Sequence, residues 1–172
     1  LARHVGDEDA AVSRNRELVA AGLGAGIVTS LLAKDVVPGD VPHHTQQAGL
    51  LGSRPSYDML QNCDTFFMIG SNYPYTEFLP PTGQARGVQI DLKAENLSLR
   101  YPMEVNLLGD VRETLSGLLD HLHHHDDRSW QDSIAQQMRD WDAITAERPD
   151  VDAEPINPRY VYQTLTERLP QD

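Results

Sequence analysis

Short apolar runs alternate with amphipathic stretches along the chain, and the alternation predicts strands and helices in turn. The first sixteen residues are polar and weakly patterned, and Glu17-Leu18-Val19-Ala20-Ala21 then reads as the end of a helix. It runs into a turn marked by Gly22, Gly24 and Gly26. Ile27-Val28-Thr29-Ser30-Leu31-Leu32 is continuous in its apolar character, as a strand covered on both faces should be. Residues 35–55 hold Pro38, Gly39, Pro42, Gly49, Gly52 and Pro55, a density that predicts a long structured loop. A short helix from Ser56 carries Tyr57, Met59 and Leu60, and Thr65-Phe66-Phe67-Met68-Ile69 follows as a second buried strand. Gly87-Val88-Gln89-Ile90-Asp91 and Val105-Asn106-Leu107-Leu108 are the third and fourth.

The C-terminal third is helical in pattern. Asp110 with Glu113 forms a capping box, after which Val111, Leu115, Leu118, Leu119 and Leu122 fall on one stripe. Ser129 with Asp132 reads as a second cap, and Trp130, Ile134, Met138, Trp141 and Ile144 recur at helical spacing as packing anchors. An acidic, proline-bearing stretch over 146–157 has the composition of a linker. Asn157-Pro158 then caps a helix with Val161, Leu165 and Leu169 on one side. The expected organisation is a nucleotide-binding-type domain over 1–126, a helix and linker over 127–157, and the start of a further domain over 158–172. Helices alternating with strands imply an α/β fold, a parallel sheet in a Rossmann-like three-layer arrangement, with extra C-terminal helices.

Composition narrows the function classes. The chain has 172 residues, 40% apolar and 23% charged, which is the range of a globular domain. Its formal charge of −12, with fourteen scattered Lys and Arg, argues against nucleic acid as a partner. No apolar run reaches membrane-helix length and Leu1-Ala2-Arg3-His4 is no signal-peptide core, so a cytoplasmic protein is expected. The single cysteine, Cys63, falls at a helix end and reads as a structural thiol. His43-His44 and His123-His124-His125 lack a carboxylate or Cys at ligand spacing and read as solvated clusters, leaving no metal ligand assigned. The glycines at 22, 24 and 26 precede a strand instead of opening a helix, so the dinucleotide fingerprint context fails there.

In parallel sheets ligands sit beyond the C-terminal strand ends. Those ends are Gly70-Ser71-Asn72, Asp91 with Leu92-Lys93, and Gly109-Asp110. A strand-end glycine lets a ligand approach the backbone, and a strand-end carboxylate can bind a ribose or an adenine amino group. Read without a ligand, the glycines are turn residues and Asp110 is a helix cap.

Five segments in order resemble the central domain of thiamine-diphosphate-dependent enzymes. They are Glu17-Leu18-Val19; Ile27-Val28 through Lys34; Gly49-Leu50-Leu51-Gly52; Cys63-Asp64-Thr65-Phe66-Phe67-Met68-Ile69-Gly70 with Val88-Gln89-Ile90-Asp91; and Asn106-Leu107-Leu108-Gly109-Asp110-Val111. Gly70-Ser71-Asn72-Tyr73-Pro74-Tyr75 with Phe78 and Pro80 is similar to the pyruvate oxidase and quinone-linked pyruvate dehydrogenase branch. Acetolactate synthases usually carry an Arg-Phe-Asp-type sequence after that glycine.

The resemblance implies a six-stranded parallel sheet that binds FAD in the oxidase and synthase branches and no flavin in the decarboxylases. By position it places Gly49, Leu50, Gly52, Ser53, Gly70, Ser71 and Asn72 along the dinucleotide, with Asp91 and Asp110 at its adenosine end. It also implies an apolar opening strand with a glycine-rich turn, for which Val5-Gly6-Asp7-Glu8-Asp9 is a poor match.

In such an enzyme a 2-oxo acid such as pyruvate is decarboxylated on thiamine diphosphate with Mg²⁺, and in the oxidase branch two electrons pass to FAD. The Gly-Asp-Gly metal sequence and the activating Glu are absent from this chain, so no catalytic residue is expected in it. Its partners would be the N- and C-terminal domains of the same enzyme, in a homo-oligomer. Two other readings remain open. One is a structural middle domain of an acetolactate synthase-like carboligase or a 2-oxo acid decarboxylase; the other is a free-standing dinucleotide-binding module.

Overall fold

A computed structural model describes residues 9–39, 41–123, 125–146 and 152–169. They fall into two units, Leu1–Met138 and Arg139–Asp172. The first carries α1 (Asp9–Leu23), β1 (Ile27–Thr29), β2 (His44–Gln47), α2 (Arg54–Asn62), β3 (Thr65–Ile69), β4 (Arg86–Asp91), β5 (Val105–Leu108) and α3 (Val111–Leu119). Helix α4 (Ser129–Ala146) starts in this unit and ends in the second, which also holds α5 (Pro158–Arg168).

The strands are parallel throughout. β3, β4 and β5 form one sheet in that order, with Ile69 opposite Ile90 and Asp91 opposite Leu108. β1 and β2 form a second, with Ile27 opposite His44. Among the described residues the six-stranded sheet is therefore replaced by five strands in two hydrogen-bonded groups. Most of Val5-Gly6-Asp7-Glu8-Asp9 lies outside the described residues, and Asp9 begins α1.

Alternation along β3 divides the core. Phe66 and Met68 pack with Leu60 of α2 and with Tyr73, Leu79 and Tyr101 of the loops. Phe67 and Ile69 face Val19 of α1 and Val111 and Leu115 of α3, a cluster that also holds Ile90 of β4. Helices thus cover both faces of β3, as the unbroken Phe66-Phe67-Met68-Ile69 run requires. β5 differs: its side chains are exposed, Val105 and Leu107 among them, and it is an edge strand instead of the buried one its composition predicts.

Local chemistry explains the boundaries. Asp110 caps α3 by accepting from the Arg112 and Glu113 N–H groups, as its sequence predicts. Ser53 caps α2, accepting from Ser56 N, with Pro55 in the first turn, so the helix starts two residues before the predicted Ser56. At α4 the carboxylate of Asp127 accepts from Ser129 N–H, in place of the predicted Ser129–Asp132 pair. Ile134 and Met138 are the buried residues of α4, whereas Trp130 and Trp141 are half-buried and Ile144 is exposed. The aliphatic side chains, not the indoles, anchor that helix. Asn157 caps α5 by accepting from Arg159 N–H, and Val161, Leu165 and Leu169 stay exposed along it.

Two expectations are corrected here. The strand over 27–32 stops at Thr29, and Leu31–Ala33 form a tight helical turn with both leucines exposed. The loop over 35–55 contains β2, whose sequence His-Thr-Gln-Gln has no apolar residue. Its burial rests on hydrogen bonds: Thr45 Oγ1 donates to Ile27 O at 3.1 Å, and Ser53 Oγ donates to Thr45 O at 2.6 Å.

Leu115 is 0% exposed within the α1–α3 cluster, so Leu115→Ala should lower the unfolding free energy by about 2–5 kcal/mol, read from urea denaturation followed by circular dichroism.

Candidate functional site

The in-register pairing of the three-stranded sheet brings its C-terminal ends to one rim. Gly70 N donates to Ile90 O at 2.8 Å and Gly109 N donates to Asp91 O at 3.0 Å, so the ends of β3, β4 and β5 stand side by side. Gly70 takes φ +57°, a left-handed turn that glycine adopts without steric cost. The sequence prediction that Gly70, Asp91 and Asp110 share a rim is met by the backbone.

The side chains at that rim are already engaged. Asp91 is buried, and its Oδ1 accepts from Lys93 N at 2.8 Å and from Asn96 Nδ2 at 3.1 Å. Asp110 Oδ1 accepts from the Arg112 and Glu113 N–H groups, at 2.9 and 3.2 Å. Asn72 donates from Nδ2 to Asn96 Oδ1 and accepts from Arg100 Nε at 2.8 Å. The result is a polar chain from Arg100 through Asn72 and Asn96 to Asp91, tying the exit of β3 to that of β4. Beneath it, Gln89 is 1% exposed, donating to Asn96 O and accepting from Ser98 N. Sequence reasoning missed Gln89, Asn96 and Arg100. The signal available was a glutamine between Val88 and Ile90 of a central strand, since a buried carboxamide requires partners from a neighbouring loop.

The remaining predicted residues follow β2. Gly49 takes φ +103° and its carbonyl accepts from Gly52 N at 2.8 Å, closing a turn that projects Leu50, 88% exposed. Ser53 is buried, with its hydroxyl both donating to Thr45 O and capping α2, so it holds the turn in place. Ser71 is half-buried beside Gly70. These residues and the three-strand rim belong to different hydrogen-bonded sheets of the same unit. Tyr73 joins them: it follows the exit of β3 directly, and its hydroxyl lies 2.5 Å from the place a Cβ on Gly49 would take.

His43 and His44 depart from the prediction of solvated clusters, whereas His123 and His125 are exposed as that prediction has them. His44 is buried, its Nδ1 3.3 Å from Pro38 O and its Nε2 3.5 Å from Thr29 Oγ1. A carbonyl can only accept, so Nδ1 carries the proton. Burial pulls the His44 pKa below its ordinary value, partly opposed by the Pro38 carbonyl. His43 is lowered too, first by burial and then by Arg128, with Glu17 opposing. His125 is exposed and its Nδ1 is 3.0 Å from Asp127 O; His124 lies outside the described residues. Among the described residues no three His, Cys, Asp or Glu side chains form a metal-ligating group, and no helix is long and apolar enough to cross a membrane. Cys63 is half-buried and burial pushes its thiol up to about 11, far from a reactive thiolate.

Parallel strands flanked by helices, with glycine turns and a polar network at the C-terminal strand ends, make this an α/β fold of the three-layer kind. The family described as "Thiamine pyrophosphate enzyme, central domain" matches residues 7–118, and the chain belongs to that family. It is 31% identical over 149 residues to YdaP of Bacillus subtilis (strain 168), covering 86% of this chain and 25% of that protein. It is 24% identical to the pyruvate oxidase of Lactiplantibacillus plantarum, covering 81% of this chain and 23% of that one. It is 26% identical to the acetolactate synthase isozyme 3 large subunit of Escherichia coli, covering 83% and 26% respectively. An X-ray structure of a Mycobacterium smegmatis protein assigned to the thiamin diphosphate-dependent enzymes shares the fold, with TM-score 0.51 and 24% identity over 70% of this chain and 24% of that one. The chain spans about a quarter of the length of these curated relatives.

Both lowered histidines favour the neutral ring in the folded state, so between the folded and unfolded pKa values the unfolded chain binds more protons. Their contribution to stability is complete above the unfolded value near 6.5 and is lost as pH falls through the folded values. Thermal unfolding should therefore show a midpoint that drops from pH 7 to pH 5, with a shallower drop in His44→Gln.

Proposed function

We propose that the chain is the FAD-binding middle domain of a thiamine diphosphate-dependent 2-oxo acid oxidase or dehydrogenase, acting on pyruvate or a similar acid. The reading belongs to the pyruvate oxidase and quinone-linked pyruvate dehydrogenase branch, through Gly70-Ser71-Asn72-Tyr73-Pro74-Tyr75. The observation that carries it is the alignment of Gly70, Asp91 and Gly109 on neighbouring parallel strand ends, with Arg100 tied to the same rim through Asn72. In a chain of net charge −12, a cation held at a strand-end rim suits the pyrophosphate of a dinucleotide.

The residues present fit FAD better than thiamine diphosphate. Backbone at Gly49 and Gly70 can approach a dinucleotide closely, and Arg100 Nε is committed to Asn72 while its terminal amines remain as donors of the fork. Asp91 and Asp110 act by holding the 92–96 loop and the start of α3, a role one step removed from the adenosine contact expected of them. For the diphosphate-bound Mg²⁺ the described residues offer no ligand group. In this reading the N- and C-terminal domains of a cytoplasmic homo-oligomer hold that cofactor, beginning with the element at 158–172. FAD, when bound, accepts two electrons; the residues of this chain orient it and take no proton themselves.

A second reading, a structural middle domain of a carboligase or decarboxylase, is favoured by the internal use of both carboxylates. Titration separates the two. Flavin fluorescence should be quenched on adding the chain to FAD, and bound flavin should absorb near 450 nm. Arg100→Ala should weaken binding by about tenfold, the loss of a charge-assisted contact. A chain that leaves FAD fluorescence unchanged at high micromolar concentration has the structural role.

A further inference from the structure

The two-stranded sheet runs out into leucines. Ala48 N donates to Thr29 O at 2.8 Å, which sets the C-terminal ends of β1 and β2 level. Two residues beyond that bond, one strand leads into Leu31-Leu32 and the other into Leu50-Leu51. In that order the four leucines are 50, 77, 88 and 75% exposed. Hydrogen-bonded turns hold both tips: Ala33 N donates to Ser30 O at 2.9 Å in the first, and Gly52 N donates to Gly49 O at 2.8 Å in the second. Single exposed leucines are ordinary on a protein surface, whereas two adjacent pairs at one end of one sheet make the kind of apolar patch that marks a contact site.

Charge decides what can cover them. With a formal charge of −12, the chain repels a second copy over most of its surface. In the segments that carry the leucines, the described charges come as neutral pairs: Lys34 Nζ is 2.7 Å from Asp35 Oδ1, and Arg54 Nε is 2.7 Å from Asp58 Oδ2. Such a rim favours neither an acidic nor a basic partner, and about a two-fold axis each pair can face its counterpart with the signs reversed. Two of these patches meeting bury on the order of 1,000 Å² in total, the lower bound of a specific interface. The apolar edge of β5 offers less, with Val105, Leu107 and Leu108 at 44, 37 and 61% exposure.

We propose that the Leu31-Leu32 and Leu50-Leu51 tips form the interface of a symmetric homodimer, packing on the same leucines of a second copy of this chain. The Lys34–Asp35 and Arg54–Asp58 pairs stand at its rim, where exposed ion pairs contribute little. The inference goes beyond the flavin reading and does not require it. Apolar contact carries the association and the charge of each copy opposes it, so added salt strengthens the dimer by screening that charge. An assembly held by charge would weaken instead.

Sedimentation velocity of the full chain is the test. Wild type should pass from 19.2 kDa towards twice that mass between about 1 and 100 µM, at lower concentration in higher salt. The double variant Leu32→Asp, Leu50→Asp should dimerise at least about tenfold more weakly, because dimerisation would bury its carboxylates unpaired. Its circular dichroism and thermal midpoint at high dilution should match those of wild type, since both leucines already face water. Leu108→Asp on β5 and Leu165→Asp on α5 should dimerise as wild type does. A wild-type chain that stays at 19.2 kDa throughout overturns the proposal, as does a double variant that associates like wild type. A dimer dissociated as fully by Leu108→Asp or Leu165→Asp puts the interface elsewhere and also overturns it. A monomeric wild type that floats with phosphatidylcholine vesicles gives the leucines to a lipid surface, with the same consequence. Should the double variant not fold, methyl-labelled leucine NMR on the wild type takes its place. The Leu32 and Leu50 methyl resonances should move with concentration while those of Leu108 and Leu165 stay, and unmoved Leu32 and Leu50 resonances overturn the proposal.

Discussion

Parallel, in-register pairing of β3, β4 and β5 is the constraint on which the rest of this molecule depends. Each strand offers backbone donors and acceptors that must be paired once helices cover the faces and exclude water. The register that places Ile69 against Ile90 and Asp91 against Leu108 satisfies them and sets the strand ends level. It also sends Phe66 and Met68 to one core and Phe67 and Ile69 to the other. A slip of one residue would exchange the two sets and set Gln89 among the α1 and α3 side chains, where no loop carbonyl or N–H waits for it.

Above that sheet, polarity is organised to hold loops. The buried Asp91 carboxylate draws in Lys93 N and Asn96, and Asn96 passes the restraint through Asn72 to Arg100. Hydrogen bonds to a charged, buried acceptor are stronger than neutral ones, and their loss exposes an unsatisfied group to a poor solvent. The 92–100 segment is therefore kept against the strand ends by electrostatics instead of by apolar packing. A strand-end carboxylate can thus define the shape of a ligand rim without reaching into it.

The relatives span different chemistries on one framework. A pyruvate oxidase and an acetolactate synthase subunit both align with most of this chain while extending about four times as far. One framework thus recurs in proteins whose named activities differ, so the fold alone does not specify a reaction. Val105, Leu107 and Leu108 of β5 and the leucines at 31, 32, 50 and 51 are large apolar side chains that the described residues leave exposed.

What the sequence by itself determined is the position of the elements written in apolar residues, though not the burial of β5. The strands at 65–69 and 105–108 matched residue for residue, β4 matched to within one residue, and the Asp110 cap and Leu115 stripe of α3 followed from composition and spacing alone. Tertiary structure decided the rest, for one physical reason: polar burial depends on partners distant in the chain. β2 has no apolar residue and is a strand because Ile27 and Ser53 accept and donate across it. His44 is buried because Pro38 and Thr29 meet its ring, and Asp91 turns inward because Asn96 is there to meet it. The meeting of Tyr73 with Gly49 likewise comes from folding, since nothing in the spacing of either residue announces it.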